Sequence, residues 1–276
     1  MSDLFKLDKS SCVKCGACVK DCAFKALKLS NEGYPEIPQE ATCMKCQHCF
    51  AICPKGAIVF DGKRPQDSIE TKNLELPNAI AVENWLRTRR SCRFFKDEDV
   101  NQNLIDKILK TLGNVPTGCN ARSLTFTCIS TREAMNGFRQ DFLHAIEEHR
   151  EGNKLLPRWP ALPAILLRKG VEDIFFRGAP SMLIVSSDET APGVTTPNED
   201  VIAACTYFEM LAEANGLATC WCGFLKMITK EIPEILEKTT GLRRTTPFYA
   251  MLFGFPKVRY PRSVQRDSYA NIIYRR

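Results

Sequence analysis

The sequence predicts two unequal domains, a short cysteine-rich module followed by a larger domain of mixed helices and strands, and three observations carry that reading. Eight of the 14 cysteines lie within the first 53 residues of the 276-residue chain. A polar stretch, Asp61 to Pro77, then breaks the pattern with a proline near each end and neither helical nor strand periodicity. Beyond it, helical patterns alternate with apolar β-rich runs, which suits an α+β or α/β domain. The module is placed at residues 1–60, the linker at 61–77 and the larger domain at 78–276. With 44% hydrophobic residues, the larger part has ample material for a core.

The module contains an internal repeat. Cys12-x2-Cys15-x2-Cys18-x3-Cys22 recurs as Cys43-x2-Cys46-x2-Cys49-x3-Cys53, displaced by 31 positions. Each run is followed by a short apolar, strand-like segment, Ala26 to Leu29 and Ala57 to Phe60. Two residues between thiolates let consecutive sulfurs point inward around one centre, as a [4Fe–4S] cubane requires. In two-cluster ferredoxins the fourth ligand of each cluster comes from the other run. That crossing assigns Cys12, Cys15, Cys18 and Cys53 to one cluster, and Cys43, Cys46, Cys49 and Cys22 to the other. The second run ends in Cys53-Pro54, matching the bacterial ferredoxin signature. The first ends in Cys22-Ala23, a minor departure, because proline there shapes the turn and supplies no ligand. Zinc is the competing metal, but it takes four ligands, usually from two CxxC pairs across a longer gap, and leaves the third cysteine of each run unexplained. His48 lies between Cys46 and Cys49, yet every ligand place is filled without it. A disulfide framework belongs to small exported domains, and this N-terminus has no signal-peptide h-region.

In the larger domain, Asn103 to Leu112 repeats Leu104, Ile105, Ile108, Leu109 and Leu112 at helical spacing. A strand is expected at Leu124 to Ser130. Glu151 to Arg177, rich in proline and glycine around Trp159, reads as irregular, a lid or a surface excursion. A strand follows at Met182 to Ser186. Asp200 to Asn215 is a helix carrying Val201, Cys205, Phe208, Leu211 and Ala212, with Gly216 as its C′ residue. Tyr249 to Phe255 is the last strand. Cys92, Cys119, Cys128 and Cys205 are taken as small buried hydrophobes, as are Cys220 and Cys222 despite the redox look of Cys-Trp-Cys. His144 and His149 stand five apart, which is not the spacing of a helical metal pair.

Charge and hydropathy exclude some classes. The formal charge of +6 is modest, and the basic cluster Arg87 to Arg90 is too short for a nucleic-acid arm. The longest apolar stretches, such as Phe248 to Phe255, fall short of the ~20 residues a membrane helix needs. A cytoplasmic protein that binds neither nucleic acid nor membrane is expected.

The chain from about residue 80 to 276 resembles the FMN-dependent nitroreductase family. Arg89-Arg90-Ser91-Cys92-Arg93-Phe94-Phe95 is similar to the family's opening R-x-S-x-R-x-F. Pro116-Thr117-Gly118-Cys119-Asn120-Ala121-Arg122 is similar to its P-[ST]-x-x-N-x-[QR] loop. Gly178-Ala179-Pro180, the run Gly216 to Gly223, and Gly254-Phe255-Pro256 follow in the family's order. The residue types suit this. Arg89, Ser91 and Arg93 alternate, and a charged fork with a hydroxyl fits a flavin phosphate as well as it fits a solvated basic run.

The resemblance implies an α+β fold around a central antiparallel-rich sheet flanked by helices, with FMN at the interface of an intertwined homodimer. It gives Arg89, Ser91 and Arg93 to the phosphate, Asn120 to the flavin ring, and Cys222 and Gly223 to the segment whose backbone N–H groups reach N5. Arg266, with Arg262 as competitor, becomes the C-terminal phosphate contact, and Tyr260 to Arg276 extends across the partner. The implied activity is that of an oxidoreductase. Electrons pass from a low-potential donor, reduced ferredoxin or else NAD(P)H, through two [4Fe–4S] clusters to FMN and on to a small electrophile such as a nitroaromatic, quinone or activated alkene. A rival class is an electron-transfer flavoprotein serving a protein partner. No G-x-G-x-x-G dinucleotide fingerprint is present, and no catalytic acid is assigned.

Overall fold

The computed structural model describes residues 4–151, 173–266 and 271–275. It divides into two compact units, Met1–Asn78 and Ala79–Arg276.

In the first unit, β1 (Phe5–Leu7) pairs antiparallel with β4 (Ile58–Phe60), and β2 (Lys28–Leu29) with β3 (Pro35–Glu36). Two short helices, α1 (Ala17–Asp21) and α2 (His48–Ala51), follow the cysteine loops. The cysteine repeat is also a backbone repeat. Left-handed residues recur in pairs displaced by the same 31 positions: Lys14 and Lys45, both at φ 53°, Gly16 and Gln47 at 70° and 63°, and Lys25 and Gly56 at 53° and 56°. Lysine and glutamine seldom adopt this region, so the loop shape follows the cysteine spacing rather than residue preference. A small core of Cys18, Leu27, Cys49, Ile58 and Phe60 joins the two halves. Residues 61–77 group with this unit and form 3₁₀ turns at Pro65–Asp67 and Thr71–Asn73.

The second unit is built on one sheet of four strands in the order β5 (Leu124–Ile129), β6 (Ser181–Ser187), β8 (Phe248–Gly254), β7 (Ala218–Trp221), with every neighbouring pair antiparallel. The α+β alternative is therefore the correct one. Around it lie α3 (Ala79–Thr88), α4 (Gln102–Leu112), α5 (Arg132–Glu151), α6 (Pro197–Ala214), α7 (Gly223–Glu231) and α8 (Pro233–Thr240).

Strand periodicity sorts the core into two layers. Met182, Ile184, Ala250 and Leu252 pack with Phe138 and Phe142 of α5, Leu225 and Ile228 of α7, and Ile235 of α8. Leu183, Val185, Met251 and Phe253 face the other way, against Ile105 and Ile108 of α4 and Val201, Ala204 and Phe208 of α6. All seven residues of β6 are buried, which fixes the register, since a one-residue slip would exchange the two layers. Asn101 caps α4 by accepting the Asn103 N–H. Pro197 opens α6 at a position that needs no N–H, Glu199 and Asp200 occupy its first turn, and Gly216, at φ 78°, terminates it.

The expected helices and strands correspond to α4, α6, β5, β6 and β8 within a few residues. Helices α3, α5, α7 and α8 and strand β7 were not foreseen. Residues 152–172 of the irregular segment lie outside the described residues. Its end forms a turn in which Asp173 accepts N–H groups from Phe176 and Gly178 and pairs with Arg139 of α5 at 2.8 Å. Of the tail, 267–270 and 276 lie outside the described residues. Among the described residues no helix is long and apolar enough to cross a membrane.

Candidate cofactor sites

The eight thiols of the first unit line two small cavities. Cys12, Cys15, Cys18 and Cys53 line one, with Pro54 beside them, and Cys22, Cys43, Cys46 and Cys49 line the other. Each cavity thus draws three sulfurs from one run and the fourth from the other. Backbone N–H groups of Ala26, Lys45 and Ala57 donate to the sulfurs of Cys22, Cys43 and Cys53 at 3.2, 3.4 and 3.3 Å. Among the described residues no group of three or more His, Cys, Asp or Glu is gathered tightly enough for a single metal ion. Burial pushes the Cys49 thiol up to about 12 and raises that of Cys18. His48 pairs with Asp21, with Nδ1 3.1 Å from Oδ2.

In the second unit the Arg89–Phe95 segment is clamped across the ends of β7 and β8. The Cys92 N–H donates to the Thr219 carbonyl at 2.7 Å, the Lys96 N–H to Phe255 at 2.8 Å, and the Lys257 N–H to Phe94 at 2.8 Å. Cys92 and Phe95 are buried, while Arg93 and Phe94 face outward. Beside this strip runs a cleft lined by Arg89, Arg90 and Arg259, with Glu213, Gly216 to Ala218 and Pro256. Three guanidinium groups on one cleft suit an anionic group. Burial, with neighbouring Glu209, holds the Glu213 carboxyl above its ordinary range.

The Pro116–Arg122 loop is held against the start of α6. Asp200 Oδ1 accepts the Gly118 N–H at 2.9 Å and the Thr196 hydroxyl at 3.0 Å. Cys119, Asn120 and Arg122 are all left-handed, at φ 52°, 53° and 53°. Cys119 is exposed rather than buried as the sequence suggested, because the left-handed turn swings it outward beside Thr195.

Strand β7 runs directly into α7. The Cys222 N–H is spent on the Ala250 carbonyl at 2.9 Å. The first N–H groups of α7, Gly223's among them, have no carbonyl of the helix to bond. The Cys222 thiol is 2% exposed, donates to the Phe175 carbonyl, and is pushed up to about 12 by burial. Burial raises Cys220 as well, opposed by the charges of Arg93 and Arg177, which brings both arginines close to this strand. Arg177 also lies over the Phe224 ring at 5.9 Å. Burial accounts equally for the raised thiols of Cys92, Cys128 and Cys205.

The structure therefore gathers Arg89, Ser91, Arg93, Cys222 and Gly223 along one edge of the sheet, and sets Asn120 on the separate loop. Arg262 and Arg266 are exposed and line no part of the arginine cleft. Arg259, three residues beyond the Gly254-Phe255-Pro256 motif, lines it instead, a residue that sequence reasoning did not single out. Glu209 was missed too. Its carboxylate receives Arg89, and its only local mark is a charge within a buried helix face. His144 pairs with Glu148 on the surface of α5 at 3.2 Å.

With a four-stranded antiparallel sheet between two helical layers and an arginine-lined cleft at its edge, the second unit has the architecture of a flavoreductase fold. The chain matches the nitroreductase family model over residues 86–255 and belongs to that family. Residues 11–58 match the 4Fe-4S dicluster domain. Among curated proteins, the chain is 38% identical over 85 residues to a ferredoxin of Pyrobaculum islandicum, covering 31% of this chain and 68% of that one. It is 37% identical over 68 residues to the iodotyrosine deiodinase of Hydra vulgaris, covering 25% and 24%. A methylamine utilization ferredoxin-type protein of Methylobacillus flagellatus is 37% identical over 59 residues, 25% of its length, so the chain spans about a quarter of these last two relatives. Among solved structures, a nitroreductase with bound FMN from Bacteroides fragilis superimposes with a TM-score of 0.54 at 17% identity, covering 72% of this chain and all of that one. Another, from Desulfitobacterium hafniense, gives 0.52 at 20% identity, covering 70% and 97%.

Proposed function

We propose that this chain is an iron–sulfur flavoprotein oxidoreductase in which two [4Fe–4S] clusters relay single electrons from a low-potential donor, reduced ferredoxin or a similar carrier, to FMN, which reduces a small electrophile. The observation that carries the reading is the pairing of two crossed sets of four thiols with an arginine cleft on a nitroreductase-family sheet. The thiol sets fit cubane clusters in number, spacing and N–H donors. The cleft fits a phosphate. Arg89, Arg90 and Arg259 hold it, the last in place of Arg266, and Ser91 and Arg93 extend the same edge. Asn120 contacts the ring from its loop. Bound FMN supplies chemistry in one- and two-electron steps. Gly223, rather than Cys222, offers the N–H that meets the ring at N5, since the Cys222 N–H is already bonded.

A homodimer is part of the proposal. Helix α3 buries none of its residues and exposes Ile80, Val82 and Leu86, and α6 exposes Ile202, Tyr207 and Met210, apolar surface that a second copy would cover. The test is anaerobic purification with iron, acid-labile sulfide and FMN counted per chain, followed by flavin bleaching under reduced ferredoxin or NAD(P)H. About eight irons with one FMN, and faster bleaching by ferredoxin, is the expected result. Zinc in place of iron, or no flavin, refutes it.

A further inference from the structure

Arg89 does not reach the cleft unsupported. Its Nε donates to Oε1 of Glu209 at 3.2 Å, across 120 positions of sequence. Glu209 is on α6 and is 4% exposed. The same carboxylate accepts the Thr219 hydroxyl on Oε1 and the Trp221 indole N–H on Oε2, both at 3.3 Å. All three partners are donors. Both carboxylate oxygens are thus engaged, Oε1 by two donors and Oε2 by one. A glutamine of the same length would turn its NH₂ against at least one.

We propose that Glu209 is a positioning residue for the phosphate-binding arginine. A guanidinium is a planar fork, and engaging its Nε from the protein side leaves the Nη edge to face a ligand. Glu209 thereby fixes which edge of Arg89 the phosphate meets. Through Thr219 and Trp221 it also ties that edge to β7, the strand that leads into Gly223. Thr219 lends its carbonyl to Cys92 as well, so the arginine strip and the strand share one anchor. The phosphate thus binds a fork already oriented, with no loss of rotamer freedom left to oppose it. This inference rests on the reading of the cleft as the FMN phosphate site.

The test compares FMN with riboflavin, which lacks only the phosphate. Both are titrated into the full-length chain after its flavin has been removed, and binding is read by quenching of flavin fluorescence. Glu209→Gln weakens FMN about ten- to hundredfold, the worth of one charge-assisted hydrogen bond, and leaves riboflavin within about twofold. Arg89→Met shows the same selective loss, and the double variant loses no more than Arg89→Met alone. Equal weakening of both flavins by Glu209→Gln overturns the positioning role, because a merely structural glutamate would act on both. Unchanged FMN binding overturns it too. If Glu209→Gln does not fold, Thr219→Val removes a single bond of the anchor, and an FMN-to-riboflavin ratio lowered about threefold is expected, an unchanged ratio overturning the idea. Loss of FMN selectivity in neither Arg89→Met nor Glu209→Gln refutes the phosphate reading of the cleft itself.

Discussion

Whether the clusters share ligands between the cysteine runs can be decided with two double variants. Cys18 and Cys53 line the same cavity, although they come from different runs, while Cys49 and Cys53 come from the same run but line different cavities. The unsubstituted chain should carry about eight irons, four per cluster. Cys15→Ala sets the baseline of one surviving cluster, about four irons. Cys18→Ala/Cys53→Ala removes two ligands from one cavity and should also retain about four, with the second cluster still seen by EPR after dithionite reduction. Cys49→Ala/Cys53→Ala takes one ligand from each cavity and should leave about none. The assay is iron and acid-labile sulfide per chain, with reduced spin count as a second measure. Survival of about four irons in Cys49→Ala/Cys53→Ala, with complete loss in Cys18→Ala/Cys53→Ala, would refute the crossing. The two buried sulfurs, Cys18 and Cys49, pack with Leu27, Ile58 and Phe60, so metal loading and formation of this small core should be one event, and iron-free protein should show a lower melting temperature.

Three further outcomes follow from the second unit. Iodoacetamide under native conditions at pH 8 should modify exposed Cys119 and spare Cys222, whose buried thiol lies at about 12; mass spectrometry finding native alkylation at Cys222 would contradict this. Gly137→Ala, in an open position inside α5, should raise stability by about 0.5–1 kcal/mol, whereas Gly118→Ala, whose Cβ would fall 2.0 Å from the Thr196 hydroxyl, should lower it by about 1–3 kcal/mol, as read from thermal unfolding. Glu213 is held above its ordinary carboxyl value of 4.5 by burial, so the folded chain keeps this proton longer than the unfolded one, and its contribution to stability falls as pH rises from 4.5 through the folded value. Glu213→Gln removes that loss, and its stability advantage over the unsubstituted chain should grow with pH across that window and then level off; an advantage constant from pH 4 to 8 would count against the assignment.

What the sequence disclosed, and what it withheld, separates by range. The cysteine repeat was legible because metal ligation imposes a spacing that nothing else requires, and the left-handed pairs 14/45, 16/47 and 25/56 show that the spacing shaped the backbone as well. Strands β6 and β8 were legible because burial on both faces makes them continuous apolar runs. Helix α5 was readable and overlooked. Met135, Phe138, Phe142, Ala145 and Ile146 mark its buried stripe, but acidic and basic residues dominate the rest of the segment. Strand β7 has four residues and was absorbed into a motif. Strand order could not be read at all, because β8 enters between β6 and β7 only after the chain has built two further helices.

The site divides in the same way. Short motifs named Arg89, Ser91, Arg93 and Gly223 as candidates, since each motif is local. They did not single out Arg259, because Arg259, Arg262 and Arg266 are equivalent to any pattern and differ only in how far the chain has travelled past Pro256. Lys257 donates to the Phe94 carbonyl two residues before Arg259, which lines the cleft, whereas Arg266 does not. Glu209 is the harder case. A glutamate among Cys205, Phe208 and Ala212 looks like a defect in an apolar helix face, and a buried carboxylate would be costly without partners. Its three donors come from α3's end and β7, segments that only the fold brings together. A charged residue breaking a buried stripe is thus the one local sign such a residue leaves, and here it points to the arginine that the motif had already named.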